Sequence, residues 1–251
     1  VEAVAVKGLT YKYWPGGPLV LNGIDFNVSP KEIVAVTGLS GCGKSTLCFC
    51  VSGLISYNKR GVMTGELLVN GKDVRELKTA SLAREVGLVF QDPDTQLFSP
   101  TVEDEIAFAP ENLCLPPGQI RERVDYLLDL LGIAALAEAN PYNLSGGEKS
   151  LVALAAVLAL DPHILVIDEV MSPLDPDGKK RVVSILDKLR FAGKSIIIVE
   201  HDLEAVAFAD RLMVLNNGKS ARFDRTEKIL ADRDFLAAAG LLYDDEGLNT
   251  G

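Results

Sequence analysis

The sequence predicts an α/β fold with a largely parallel sheet, an N-terminal antiparallel β subdomain and an inserted α-helical subdomain. Three observations carry that expectation. Short apolar runs alternate with turns and helical stretches toward both ends of the chain, the rhythm of strand, crossover helix and parallel strand. The apolar run Ile33–Thr37 opens directly into Gly38-Leu39-Ser40-Gly41-Cys42-Gly43-Lys44-Ser45-Thr46 and then into a helical stretch. Between about residues 92 and 160 strand patterning gives way to helical periodicity.

Residues 4–6 and 19–28 read as strands, separated by the turn-rich Trp14-Pro15-Gly16-Gly17-Pro18. A helix follows from 44 to about 54. Residues 66–69 lead into Asn70-Gly71, a pair suited to the positive φ angles of a two-residue hairpin turn. Residues 86–90 form a further apolar run. Thr101, with Asp104 three residues on, caps a helix running toward Phe108. Ile120, Val124, Leu127, Leu128 and Leu131 share one helical face, and Gly132 ends that helix. Strands return at 164–167, Ser195–Val199 and 211–215, the last before the turn Asn216-Asn217-Gly218. Asp175-Pro176 opens a helix with Val182, Ile185, Leu186 and Leu189 inward and Gly193 just past its end. Residues 244–251, including Asp244-Asp245-Glu246, are polar and read as a solvated, frayed tail. Residues 1–251 are thus expected to form a single domain: 1–91 and 161–235 as the α/β core with its β subdomain, 92–160 as the helical subdomain, and 236–251 as a tail.

Composition narrows the function classes. The 251 residues carry 35 Asp and Glu against 25 Lys and Arg, a formal net charge of −10, which argues against a protein that grips nucleic-acid phosphates. Apolar residues at 48% and charged residues at 24% match a packed globular chain. The apolar run 151–160 is ten residues long, half of the roughly 20 that a membrane-spanning helix needs, and no stretch near the start resembles a signal peptide. Cys42, Cys48, Cys50 and Cys114 lack a two-pair metal spacing and stand far from His163 and His201; they read as reduced, mostly buried side chains of a cytosolic protein. His163, just after Asp161-Pro162, reads as a surface loop residue.

The stretch from Gly38 to Thr46 matches the phosphate-loop pattern, with strand before and helix after. Glycines let successive N–H groups converge on an anion at a helix N-terminus. Lys44 would reach the β- and γ-phosphates of a nucleotide, and the Ser45 hydroxyl would ligate Mg²⁺. The second element is Ile164-Leu165-Val166-Ile167-Asp168-Glu169, an apolar strand ending in two carboxylates at the sheet edge where ligands bind in open α/β folds. There Asp168 would hold Mg²⁺ through its water shell, and Glu169 would orient and polarise an attacking water. The third element, Leu144-Ser145-Gly146-Gly147-Glu148, begins a long helix. Ser145 with Glu148 three residues later is a capping box, which leaves the N–H groups at Gly146-Gly147 free for an anion.

Leu144-Ser145-Gly146-Gly147-Glu148, placed between the phosphate loop and Asp168, resembles the signature sequence of ATP-binding-cassette (ABC) ATPases. The resemblance covers roughly residues 3–235 and implies a P-loop NTPase fold with a RecA-like core. It places Tyr13 at the aromatic position that stacks on adenine, with Trp14 beside it as the alternative. Gln91 falls at the glutamine that joins the nucleotide and its Mg²⁺ to the helical subdomain. Ser172-Pro173-Leu174-Asp175 falls at the loop that crosses to a partner subunit, and His201 at the histidine that contacts the γ-phosphate. Carried onto this chain, the catalytic residues are Glu169, His201, Gln91 and Lys44. The nucleotide ligands are Tyr13, Gly38, Ser40, Gly41, Cys42, Gly43, Lys44, Ser45 and Thr46, and the Mg²⁺ ligands Ser45, Gln91 and Asp168. Leu144 to Glu148 would contact the partner's ATP, and Asp175 the dimer interface. The family implies a head-to-tail dimer holding two nucleotides between one subunit's phosphate loop and the other's signature. Three residues depart from the usual pattern: Glu148 stands for Gln, a neutral change for capping; Pro173 stands where a small residue is common and stiffens the crossing loop; Cys42 stands where Ser is frequent and makes the site sensitive to thiol reagents.

Gln91-Asp92-Pro93-Asp94-Thr95-Gln96-Leu97-Phe98, followed by Thr101-Val102-Glu103-Asp104-Glu105-Ile106-Ala107-Phe108 and Glu111-Asn112, is similar to the ATPases of energy-coupling-factor (ECF) transporters of vitamins, cobalt and nickel. That likeness implies a second ATPase, identical or related, a transmembrane coupling protein and a small substrate-binding membrane protein as partners. It puts the chain at the cytoplasmic face of the membrane, with Gln96, Leu97 and Phe98 as candidates for lining a groove that receives coupling helices. A conventional ABC importer ATPase and a non-transport ABC ATPase of DNA repair or translation are the alternatives. The first is disfavoured by the stretch 91–112, the second by the lack of long coiled coils and of a basic surface.

Overall fold

The computed structural model describes residues 1–57 and 61–242; the polar segment 244–251 lies outside the described residues. Four strands form an antiparallel sheet: β1 (Val4–Lys12), β2 (Leu21–Val28), β4 (Val62–Val69) and β5 (Lys72–Asp73), in the order β2-β1-β4-β5. Asn70 (φ 48°) and Gly71 (φ 77°) close the β4–β5 hairpin with Val69 opposite Lys72, the turn that the Asn-Gly pair predicts. β1 and β4 are longer than their apolar runs, because each bends at a register irregularity and continues through polar residues such as the half-buried Thr10 and the exposed Thr64, whose hydroxyls share a hydrogen bond.

The second sheet has six strands in the order β10-β9-β3-β8-β7-β6, comprising β3 (Ile33–Thr37), β6 (Val86–Val89), β7 (Ile164–Asp168), β8 (Ser195–Val199), β9 (Arg211–Asn216) and β10 (Lys219–Arg225). All neighbours are parallel except β9 and β10, which form a hairpin turning at Asn217 (φ 47°) and Gly218 (φ 72°). Side chains alternate between the two faces. In β3, Ile33 and Ala35 pack on one side and Val34 and Val36 on the other; in β8, Ile196 and Ile198 oppose Ile197 and Val199. Both faces are covered, which is why these strands read as unbroken apolar runs.

One face packs against α4 (Pro117–Leu131), α5 (Gly146–Leu158) and α6 (Pro176–Phe191), with α3 (Val102–Asn112) completing the helical layer. Thr101, Asp175 and Ser145 cap α3, α6 and α5 with their side chains, and Gly132 ends α4 at φ 66°. The other face receives α1 (Lys44–Val51), α2 (Thr79–Glu85) and the antiparallel sheet. Helix α1 is shorter than its apolar run: the chain turns at Ser52 and Gly53 (φ 70°) and resumes as a 3-10 turn at Leu54–Tyr57. Short helices α7 (Leu203–Val206), α8 (Thr226–Ala231) and α9 (Arg233–Ala238) complete the described chain. No helix among the described residues is long and apolar enough to cross a membrane.

Because β3, β6, β7 and β8 are parallel, their C-terminal ends lie along one edge of the sheet. The residues that follow them are Gly38 after β3, Gln91 after β6, Glu169 after β7 and Glu200-His201 after β8. Topology alone therefore gathers residues that are up to 163 positions apart in sequence, from Gly38 to His201.

Candidate nucleotide-binding site

The phosphate loop wraps the N-terminus of α1. Gly43 caps the helix at φ 109°, and Gly38 takes φ 153°. A Cβ at Gly38 would stand 2.2 Å from the Leu215 carbonyl oxygen and 2.8 Å from Cys42 Sγ, so only glycine lets the strand turn this tightly into the loop. The Lys44 ammonium donates to the carbonyl oxygens of Gly38 (2.7 Å) and Leu39 (3.2 Å) and folds back across the loop. Ser40, Gly41, Gly43, Lys44, Ser45 and Thr46, joined by Gln91 and Glu169, line a cleft of about 320 Å³.

Glu169 is the hub of this cleft. One of its carboxylate oxygens accepts a hydrogen bond from Gln91 Nε2 at 2.6 Å and lies 3.9 Å from His201 Nδ1; the other lies 4.0 Å from Lys44 Nζ. Of the four residues expected to be catalytic, Gln91, His201 and Lys44 are thus brought within reach of the carboxylate of the fourth, Glu169. Ser172 Oγ stands 3.5 Å from His201 Nδ1, linking the crossing loop to the same cluster. Glu169 itself adopts φ 53°, a left-handed backbone that costs a non-glycine residue on the order of 1–3 kcal/mol.

Asp168 is 2% exposed, and its Oδ1 has no hydrogen-bond partner. Burial pushes its carboxyl above the ordinary aspartate value and Glu169 adds to that, while a hydrogen bond from Ser45 and the charge of Lys44 act in the opposite sense. Among the described residues no three His, Cys, Asp or Glu side chains converge on a metal position. An orphaned carboxylate oxygen beside a serine hydroxyl, without a protein-only cage, fits a small hard cation that takes its other oxygens from phosphate and water.

Tyr13 and Trp14 separate clearly. The Tyr13 hydroxyl is 2.9 Å from Thr46 Oγ1, and its ring packs edge-on against Tyr11. Trp14 points outward at 53% exposure. Tyr13 is thus the aromatic residue tied to the phosphate loop. Cys42 is buried, and burial pushes its thiol up despite the nearby Lys44, so the structure does not support the sensitivity to thiol reagents that its place in the loop suggests. Cys48 and Cys50 are also buried, whereas Cys114 is exposed; all four are free thiols. His163 is an exposed loop residue, 3.3 Å from Glu85.

The signature residues Leu144 to Glu148 do not line the phosphate-loop cleft. They form the N-terminus of α5 with the capping box complete: Glu148 Oε2 accepts from the Ser145 backbone N–H (2.8 Å) and hydroxyl (2.7 Å). Glu148 performs the capping that Gln would, and the Ser145 bonds hold its carboxyl below the usual glutamate range. The glycines serve a packing role as well. A Cβ at Gly147 would lie 3.0 Å from Leu174 Cδ2, and one at Gly146 would lie 3.6 Å from Pro173 Cβ, so the crossing loop rests on the signature. Asp175 is committed to capping α6 through the Gly178 N–H.

Glu200 is a residue that motif reasoning misses. It is 1% exposed, directly precedes His201, and its carboxylate accepts a 2.9 Å hydrogen bond from the Met171 N–H. Burial pushes its pKa up from 4.5 to about 7; the Met171 bond opposes this, Glu169 and Asp202 reinforce it, and Lys179 lowers it. The available signal resembles the one that marks Asp168: a carboxylate at the end of a buried parallel strand, here directly after Ile196-Ile197-Ile198-Val199. Because the folded value is raised, the folded state binds the proton more tightly than the unfolded chain. The associated stability is complete below about pH 4.5 and is lost as the pH rises through about 7. Relative to Glu200→Gln, the native protein should therefore lose up to a few kcal/mol between about pH 5 and about pH 8. Urea midpoints of the two proteins should diverge over that interval; parallel curves would contradict the shift.

A phosphate loop, a paired carboxylate strand end and a separate capped signature helix together define an ATP-binding cassette. The chain belongs to the ABC transporter family, whose model matches residues 21–172. It is 39% identical to the energy-coupling factor transporter ATP-binding protein EcfA of Methanosarcina acetivorans, over 91% of this chain and 82% of that protein. Two putative ABC transporter ATP-binding proteins of Methanosarcina mazei match at 42% and 38% identity, and the chain spans only 37% and 38% of their lengths. Among solved structures, cbiO1 of Clostridium perfringens, part of the ABC transporter complex cbiONQ, superposes with a TM-score of 0.82 at 32% identity, covering 96% of this chain and 95% of that one. A dimeric ATP-binding cassette in a post-hydrolysis state bound to ADP and Pi gives 0.79 at 25% identity, over 89% and 98% of the two chains.

Proposed function

We propose that the chain is the ATP-binding and ATP-hydrolysing subunit of an energy-coupling-factor type transporter for a vitamin or a transition-metal ion, acting at the cytoplasmic face of the membrane. The observation that carries the reading is the convergence of Gln91, Lys44 and His201 on the carboxylate of Glu169, a residue that lines the phosphate-loop cleft.

In this reading Tyr13 stacks on adenine, and the N–H groups from Gly38 to Thr46 surround the phosphates. Lys44 exchanges its carbonyl partners for β- and γ-phosphate oxygens. Ser45, Asp168 and Gln91 are the residues that would hold the nucleotide's Mg²⁺, and the ion would neutralise phosphate charge there. Glu169 orients and polarises the attacking water. The water oxygen bonds to the γ-phosphorus, the bond from that phosphorus to the β–γ bridging oxygen breaks with ADP as the leaving group, and the water's proton passes to Glu169. His201 contacts the γ-phosphate from the end of β8. The second half of the site is Leu144 to Glu148 of another copy or a paralogue, whose free N–H groups at Gly146-Gly147 meet the γ-phosphate. Asp175 and the crossing loop lie against that partner.

A second cleft of about 570 Å³, lined by Leu54, Val74, Leu77, Leu82, Phe90 and Gln96 among others, is the proposed seat of the transmembrane coupling protein. Of the three residues expected there, Gln96 lines the cleft. Leu97 is core of the helical subdomain, and Phe98 is exposed and rests edge-on against Phe108. Affinity purification from native membranes tests the assignment. Recovery of a transmembrane coupling protein with a small substrate-binding membrane protein is expected. Recovery with permeases and a separate soluble binding protein, or with ribosomes or DNA, would overturn it.

A further inference from the structure

Glu169 has to hold a left-handed backbone to direct its carboxylate into the cleft, and the surrounding contacts show what keeps it there. On one side of the residue its own N–H donates to the Val199 carbonyl oxygen at 2.9 Å. Two residues further on, the Met171 N–H donates to the Glu200 carboxylate at 2.9 Å. The turn 169–171 is thus pinned at both ends to the end of β8, once through backbone and once through a side chain. Glu200 is anchored in turn by its N–H, which donates to Val36 at the end of β3. Val170 and Met171 are buried in the core beneath the turn. A buried carboxylate is costly unless it has such work to do, and nothing in nucleotide binding or water activation uses this one.

We propose that Glu200 is a positioning residue for ATP hydrolysis: by holding the Met171 N–H it fixes the strained turn that aims Glu169 at the attacking water. The inference rests on the water-activating role of Glu169 given above. The group acts on the turn itself, so the same bond sets where the crossing loop begins and ties it to the turn carrying His201. The carboxylate faces Glu169 from the β7 end, Lys179 from α6 and Asp202 from its own turn. A neutral amide can serve as the acceptor in its place, because the required function is a hydrogen bond to one N–H.

The test compares Glu200→Leu and Glu200→Gln in the otherwise unaltered chain and in a Glu169→Gln background, each assembled with its partner subunits. Misplacement of a catalytic group by about 1 Å costs about 10²-fold, so Glu200→Leu should lower kcat by about that factor. The KM for ATP should stay within about twofold, because the phosphate loop is untouched. Glu200→Gln should recover at least about tenfold of that loss, since it restores the acceptor. In the Glu169→Gln background Glu200→Leu should add no further loss, the non-additivity of a residue that acts through another. Equal losses in both backgrounds, or a Glu200→Leu enzyme with unchanged kcat, would overturn the inference. So would failure of Glu200→Gln to exceed Glu200→Leu while both bind ATP and melt cooperatively. Unchanged turnover in Glu169→Gln alone would instead sink the water-activating role itself, which keeps the two failures apart.

Discussion

Replacing Glu169 with Gln is expected to lower ATP turnover by about 10²–10⁴-fold while leaving ATP binding intact. The geometry separates these two effects. Glu169 accepts from Gln91 and faces Lys44 at 4.0 Å, but the groups that would cradle the phosphates are the loop N–H groups and Lys44 itself. An amide at position 169 preserves size and can still meet Gln91, yet it is no base and cannot take the water's proton. Single-turnover hydrolysis alongside equilibrium ATP binding measures both quantities. Turnover at the native level would remove Glu169 from the chemistry.

Lys44→Ala is expected to act at the opposite step. Lys44 is 6% exposed and its ammonium is satisfied by two loop carbonyls, so it is already desolvated and has only to exchange those carbonyls for phosphate oxygens when nucleotide arrives. Losing one partner of a buried charge pair costs about 2–5 kcal/mol, roughly 30-fold to several thousand-fold in Kd. Calorimetric titration with ATP and Mg²⁺ reads this directly. Retention of full affinity would show that the loop N–H groups alone carry the phosphates.

Most of this site is legible in the sequence because parallel-sheet topology leaves few choices. Once 33–37, 86–89, 164–168 and 195–199 are recognised as parallel strands, the residues after each must share an edge. The convergence of Lys44, Gln91, Glu169 and His201 follows from that alone. The capping box at Ser145 and Glu148 is equally local and appears in the structure as its spacing requires.

What escapes the sequence depends on packing. β10 reads Lys-Ser-Ala-Arg-Phe-Asp-Arg; it pairs on one edge only, so its side chains remain largely polar and leave no apolar alternation to detect. Helices α8 and α9 are six residues each, too short to show a periodic face. That Tyr13 rather than Trp14 is tied to the phosphate loop rests on a single hydroxyl bond to Thr46, which no spacing rule contains. Leu97 and Phe98 are adjacent and chemically alike, and only the folded helical subdomain buries one and exposes the other. Glu200 is masked by its neighbour, because the motif position is His201 and carries no information about the carboxylate before it.

One nucleotide site, in this arrangement, needs two subunits: the phosphate loop of one and the signature of the other. Sedimentation velocity of Glu169→Gln, with and without ATP and Mg²⁺, tests it most directly, since that variant should bind nucleotide without consuming it. A monomer is expected in the absence of nucleotide, and a stable dimer carrying two ATP molecules when ATP is present. A protein that binds ATP with full occupancy and still sediments as a monomer, both alone and mixed with the ATPase subunit that co-purifies with it, would contradict that requirement.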